Sequence, residues 1–351
     1  MVGIVIPTMN RPDFVVRQLA YYADVGYRHT VYVGDSSESI HVEQVAQAVR
    51  RLQSRINIVH IRLPGLNDLQ AVRELLYCVR EPYAAFVGDD DFLAPASLDR
   101  CARFLDAHPE CSTSHGVATL CGLGSSGAHG DVTWCGRYAQ RPVEQASARE
   151  RLTDYLGSYF VTLFSVHRTQ AFRRDMDAAA PVPDKAFREL LSCCLSIVRG
   201  KAKELECLYL IRQAHDQRYL LPDVYDWITS PDWLPSYRIF CDCLVGELAR
   251  QDGISIAEAQ EVVKQAFWSY LGQGLVRKWQ ARYAQDGRGL ASRWRELAKR
   301  VPGVRKAWHT IRSFPTSRGN EISLERLRNP SSPYHADFIS IYRAVTTPPR
   351  D

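Results

Sequence analysis

The chain lacks any run of about 18 apolar residues, so no stretch reads as a membrane-spanning helix. It also lacks a basic patch followed by a long apolar patch at its start, and Met1 to Pro7 reads as a strand rather than a leader. Its ten cysteines include no CxxC pair. Cys101, Cys111 and Cys121 are evenly spaced, but no zinc site uses that spacing. Reduced thiols packed as small hydrophobes, in a cytoplasmic protein, are therefore expected. Internal repeats and low-complexity tracts are absent. With 351 residues, 46% apolar and 24% charged, the composition is that of a folded chain of two domains, or of one with an extension.

Positive charge is concentrated in one place. Twelve Lys/Arg lie between Arg277 and Arg318, opposed only by Asp286 and Glu296, a local balance of +10 in a chain whose net charge is +5. Trp294, Leu297 and Val301 share one helical face there, and Trp308, Ile311 and Phe314 share another after Pro302-Gly303. Such a segment suits peripheral contact with an anionic membrane surface, and it equally suits a helical subdomain that buries its Trp face on the rest of the chain. No helix-turn-helix, zinc-finger or RNA-recognition motif supports nucleic-acid binding.

The first 95 residues alternate strand and helix. Val2–Ile6, His29–Val33, Ile56–Leu63 and Tyr83–Val87 read as strands, and 13–24, 42–52 and 67–79 carry helical periodicity. That order predicts a doubly wound, mostly parallel α/β sheet, in which ligands bind beyond the carboxyl ends of the strands. Further on, 95–107 and 185–198 read as helices, and 112–120, 159–167 and 204–211 as strands. Gly122–Gly130 reads as a mobile loop, and beyond Pro222 only helices are expected. The division expected is a catalytic domain over 1–222, with a nucleotide half 1–95 and an acceptor half 96–222, and a helical, basic region over 223–351.

Asp89, Asp90 and Asp91 end the fourth strand. Three adjacent carboxylates repel one another and need compensation from Arg/Lys, a helix N-terminus or a divalent cation. Hard oxygen ligands at a strand end suit Mg²⁺ or Mn²⁺ bridging to substrate phosphates. A solvated turn capping the next helix is the structural alternative.

Three segments in order, Ile4–Pro12 (IVIPTMNRP), Val31–Ser37 (VYVGDSS) and Tyr83–Pro95 (YAAFVGDDDFLAP), resemble the family 2 glycosyltransferases of the GT-A fold over roughly the first 220 residues. The resemblance implies transfer of a sugar from a nucleotide-diphospho-sugar to a saccharide or lipid-linked saccharide, with inversion. It implies that Pro7, Thr8, Asn10 and Arg11 line the nucleotide pocket, that Asp35 meets the base or ribose, and that Asn67 and Arg73 lie near the base. The acidic cluster would hold a divalent cation and the diphosphate, with metal ligands ranked Asp91, then Asp89, then Asp90. Two departures stand out: Gly34 and Gly88 occupy places where the family commonly has Asp. The general base implied is an acidic residue at a helix start, here Asp184 ahead of Glu189. His215 would complete the metal or diphosphate site, and Arg218 would neutralise the leaving group. A sugar nucleotidyltransferase would want a glycine-rich phosphate loop after the first strand, which Pro7–Pro12 lacks. A non-catalytic nucleotide-sugar or membrane-surface binding module of the same fold is the other reading.

Overall fold

β1 (Val2–Thr8) is buried at every position, as its Val/Ile run requires. It pairs in parallel with β2 (Val31–Asp35) on one side and β4 (Tyr83–Phe86) on the other, and β2 pairs in parallel with β3 (Ile58–Arg62). The crossovers are α1 (Pro12–Asp24), α2 (Ser39–Leu52) and α3 (Asp68–Cys78). Pro12 sits at the first turn of α1, where its fixed φ suits a helix start. The computed structural model describes residues 1–215, 223–299 and 322–348, and within the helix beyond Val276 the side chain of Trp279 only.

The second half of the sheet is mixed. β5 (Phe92–Leu93), α4 (Pro95–Ala107), β6 (Cys111–Leu123), β7 (Val132–Arg137), α5 (Ala148–Gly157), β8 (Val166–Arg168), α6 (Thr169–Ala179), α7 (Lys185–Arg199) and β9 (Lys201–Ala214) follow. The sheet runs β3-β2-β1-β4-β8-β6-β9-β5, with β7 attached to β6. The result is an α/β fold of the expected type, with all four parallel strands of the nucleotide half adjacent. The stretch 159–167 is not one strand. A 3₁₀ turn, Thr162–Phe164, interrupts it so that Phe164 stacks on Phe86 at 5.1 Å between centroids. Cys121 and Cys135 face each other across β6 and β7 and are joined as a disulfide, which corrects the expectation of ten reduced thiols. The pairing is non-local and leaves no spacing signature. The other eight cysteines are free.

The region after Pro222 is helical where described: α8 (Val224–Ile228), α9 (Trp233–Asp252), α10 (Ile256–Lys299), α11 (Leu324–Arg328) and α12 (His335–Thr346). Gly253, with φ +63°, closes α9 in the left-handed conformation that glycine adopts without strain. Phe187 on α7 meets Trp227, Trp233, Phe240 and Phe267, with ring centroids 4.8–5.7 Å apart. This aromatic core joins the helical region to the acceptor half. α12 instead returns to the nucleotide half, burying Phe338, Ile341 and Val345, with Gly130 N–H donating to Val345 O at 3.1 Å. No described helix is long and apolar enough to cross a membrane. The Trp294 and Trp308 faces lie outside the described side chains.

A buried ion-pair network also ties α9 to α6 and α7. Arg199, ending α7, pairs with Asp175 on α6 and with Glu247 on α9, the latter at 3.0 Å. Removing only the cation strands the buried Asp175, while Glu247 keeps Arg250 and Gln251. Arg199→Leu is expected to destabilise the fold by about 3–5 kcal/mol, read from the midpoint of a urea unfolding curve. A shift under about 1 kcal/mol would show that water reaches these carboxylates.

Candidate functional site

The carboxyl ends of β1, β2 and β4 and the far end of β9 converge on the Asp89–Asp91 turn. Thr8, the last residue of β1, donates from Oγ1 to Asp89 Oδ2 at 2.7 Å. The Arg11 guanidinium forks onto both oxygens of Asp89 and lies 3.1 Å from Asp90 Oδ2. Asp91 is turned the other way: Arg212 Nε donates to its Oδ2 at 2.7 Å, and Gln213 N–H to its Oδ1 at 3.0 Å. His215 Nε2 lies 2.8 Å from Asp90 Oδ2, and its ring stacks on Phe14 with centroids 5.1 Å apart. Three carboxylates within three residues thus meet Arg11, Arg17, Arg212 and His215.

Arg17 and Gln18 support the turn from inside α1. Arg17 is 1% exposed, lies over the Phe92 ring, and donates to Asp90 O at 2.9 Å and to Gln213 Oε1 at 2.6 Å. Burial lowers its pKa to about 10, against the pull of Asp90 and Asp91. Gln18 donates to Asp91 O at 2.6 Å and Gly88 O at 3.0 Å. The glycine-rich loop expected to be mobile is fastened to this network: Arg17 donates to Ala128 O, and Gln213 Nε2 to Gly127 O at 2.9 Å. Arg17 and Gln18 were not singled out in the sequence. Their signal is two polar residues on the otherwise apolar, core-facing side of a helix.

Titration behaviour separates the three acids. Burial pushes Asp91 up to about 6, helped by Asp90 and opposed by Arg212. Burial also raises Asp89, against Arg11. For Asp90 burial acts in the same direction, but His215, Arg11 and Arg212 outweigh it and hold the carboxyl well below its usual range. Asp90 is the acid kept ionised at the edge of the cluster.

These partners decide how a divalent cation would fit. Asp91 has both oxygens committed to Arg212 and the β9 backbone, and Asp89 both of its own to Thr8 and Arg11. The residue ranked first for a cation, Asp91, fastens the turn after β4 to β9 in this structure. Among the described residues no three His, Cys, Asp or Glu side chains are grouped to hold a metal ion. Asp90 is engaged as well, its Oδ2 with Arg11 and with His215 Nε2. A hard cation that keeps water and substrate phosphate in its shell needs only one or two protein ligands, and one held by Asp90 and His215 would take the place of the contact between them.

The two glycine departures have steric causes. A Cβ on Gly88 would come 2.6 Å from Asp90 Oδ1, and one on Gly34 would come 3.0 Å from both Leu63 and Leu75. Aspartate at either place would displace Asp90 or the packing of β2. Asp35, at the end of β2, is 1% exposed, accepts from Ser37 N–H at 2.9 Å and lies 3.1 Å from His60 Nε2. Burial works against its charge, yet His60 and Ser37 hold its pKa below the ordinary value. Asn10 takes the left-handed conformation, φ +57°, that Asn tolerates. It links two strand ends: its N–H donates to Ser37 Oγ at 2.7 Å, and its Oδ1 accepts from Glu38 N–H at 2.8 Å. Pro7 lies in β1 opposite Gly34.

Asn67 and Arg73 are not brought to this cluster. Asn67 caps α3 in a reciprocal capping box with Gln70, and Arg73 pairs with Asp177 on α6 at 2.7 Å. Asp184 is likewise structural: it caps α7, accepting from Phe187 N–H at 2.8 Å and from Trp227 Nε1 at 3.0 Å. Glu189, one turn on, accepts from Tyr159 OH at 3.2 Å, and burial raises its pKa. Its charge acts on Arg212 and Tyr138, the former a partner of Asp91. Arg218 lies outside the described residues.

Both charges have buried partners. Asp91→Asn leaves Arg212 buried with a neutral partner, and Asp90→Asn takes from His215 and Arg11 a carboxylate that they hold ionised. Each is expected to cost about 3 kcal/mol of stability. Paired urea titrations check this, and a loss under about 1 kcal/mol for either variant would show that its charge is not needed to hold the turn.

No family profile matches the chain, and neither does any curated protein sequence. Solved structures do. S. aureus TarS matches with TM-score 0.50 at 13% identity, over 77% of this chain and 43% of that one. Its fragment 1–349 matches with TM-score 0.50 at 13% identity, over 77% and 70%. The same fragment in complex with UDP matches with TM-score 0.47 at 16% identity, over 77% and 70%. The chain thus spans less than half the length of the longer TarS chain. At such identity the likeness concerns architecture alone, and the architecture is of the GT-A type.

Proposed function

We propose that the chain is a glycosyltransferase that takes a sugar from a nucleotide-diphospho-sugar and passes it to a saccharide or lipid-linked saccharide acceptor. The observation that carries this reading is the convergence of Thr8, Arg11, Asp89, Asp90 and His215 at the carboxyl ends of parallel strands, one strand away from Asp35 at the end of β2. In this reading Asp35 accepts a hydrogen bond from the base or ribose, its orientation set by His60 and Ser37. Asn10 and Pro7 shape the wall between base and diphosphate. Arg11 balances Asp89 and Asp90. A divalent cation, Mn²⁺ or Mg²⁺, would be held by Asp90 and His215 and would supply charge neutralisation for a nucleoside diphosphate leaving group.

Glu189 takes the proton from the acceptor hydroxyl as the anomeric carbon is attacked. A buried carboxyl with a raised pKa is a stronger base once ionised, which suits it to that task. Tyr159 fixes its direction. Inversion follows if the acceptor attacks from the face opposite the leaving diphosphate.

A thermal-shift screen of UDP, GDP, ADP, CDP and dTDP, each with and without Mn²⁺, should show one base raising the midpoint, more so with the ion. No response to any nucleotide would overturn the reading. With the donor identified, Glu189→Gln should lower kcat by about 100-fold or more while leaving nucleotide affinity within twofold. The wild-type acid limb of kcat/KM should lie above the ordinary glutamate value of about 4.3, activity falling as pH drops through it. An Asp184→Asn variant that loses turnover without loss of stability would restore Asp184 as the base.

A further inference from the structure

Large apolar side chains stand out of one end of the helical region. Tyr225 on α8 is 46% exposed, Leu234 on α9 49%, and Trp268, Val276 and Trp279 on α10 are 50%, 51% and 57% exposed. They belong to one neighbourhood. Tyr237 on α9 lies 6.3 Å from Trp268 between ring centroids, Trp227 lies 6.1 Å from Trp233, and a Cβ on Gly274 would come 4.0 Å from Val224. Trp268 and Trp279 are eleven residues apart, about three turns, and so share a face of α10. Beneath this face lies the aromatic core around Phe187, which leaves these residues as its outer layer.

The chain chemistry that follows them fixes the partner. Arg277, Lys278 and Arg282 on α10 are the first three of the run of twelve Lys/Arg against two acids. Trp, Tyr and aliphatic side chains beside concentrated positive charge are the two components of binding to an anionic bilayer: apolar burial at the headgroup boundary and attraction to its charge. A second copy of the chain would bring the same +10 segment against itself, which like-charge repulsion opposes.

Position favours the same partner. Trp227 donates to Asp184 at the head of α7. Two residues from Trp268, Tyr270 packs on Tyr159 at 5.2 Å, and Tyr159 donates to Glu189. The exposed edge therefore adjoins the acceptor side of the candidate site. We infer that the edge formed by Leu234, Trp268, Val276 and Trp279 is a membrane-docking surface for anionic lipid, driven by the basic segment that follows it. This inference does not depend on the glycosyltransferase reading, because it concerns binding without turnover.

The test is flotation of the full chain with vesicles of phosphatidylcholine, alone or mixed with phosphatidylglycerol. Binding is expected to the anionic vesicles at low salt and to weaken at 1 M salt, where the Debye length falls to about 3 Å. The double variant Trp268→Ser, Trp279→Ser should lose about tenfold in partitioning, with thermal midpoint and nucleotide response unchanged. Three results would overturn the proposal: no binding to anionic vesicles at low salt, equal binding to neutral ones, or full affinity in the double variant. So would self-association in sedimentation velocity that the double variant abolishes, because it would assign the surface to a second copy.

Discussion

Three consecutive carboxylates at the end of a buried strand are the constraint on which the rest of the site depends. Left to themselves they would repel one another, and burial would raise all their pKa values. The fold answers with guanidinium groups from two directions, Arg11 and Arg17 from the first βα unit and Arg212 from the last strand, and with His215 just beyond that strand. Each cation also does structural work. Arg17 fixes the glycine-rich loop, and Arg212 ties β9 to the acidic turn while lying 4.4 Å from the Phe164 ring centroid. Compensating the charge is therefore the same event as closing the nucleotide half onto the acceptor half. Once Asp91 is spent on that closure, Asp90 is left as the acid that both stays ionised and faces an imidazole.

Much of this was legible from residue order. The βαβ alternation of the first 95 residues and the acidic turn at a strand end follow from short-range pattern, and since parallel strands place their carboxyl ends together, Thr8, Asn10, Arg11 and Asp35 lie on the same edge of the sheet as that turn. The division of labour among Asp89, Asp90 and Asp91 was not legible. It depends on Arg212 and Gln213, 121 and 122 residues away, and on backbone N–H groups that carry no sequence mark. Asp184 and Asn67 share one ambiguity. An acid or amide at a helix start has the same sequence appearance whether it meets a substrate or caps the helix, and here both caps are made. The short β7 and α5 have weak periodicity, and the disulfide needs the β6–β7 pairing before its two cysteines meet.

The helical region is integrated at two distant points. Its aromatic core surrounds Phe187 on α7, the helix that carries Glu189, and its last helix lies on α1, which carries Arg17. Both halves of the candidate site are thus braced from outside by the same C-terminal portion. The Tyr270–Tyr159–Glu189 contact makes one brace a direct neighbour of the proposed base. A change in how α10 packs would reach the chemistry through two side chains.

The assignment of roles within the acidic turn is tested most directly by anomalous diffraction from crystals grown with Mn²⁺ and the nucleoside diphosphate that binds. The account predicts an anomalous peak within ligand distance of Asp90 and His215, with the diphosphate beside it, the base near Asp35, and Asp91 still paired with Arg212. A peak coordinated by Asp91 with Arg212 displaced, or a nucleotide seated away from the β1 and β2 strand ends, would contradict it.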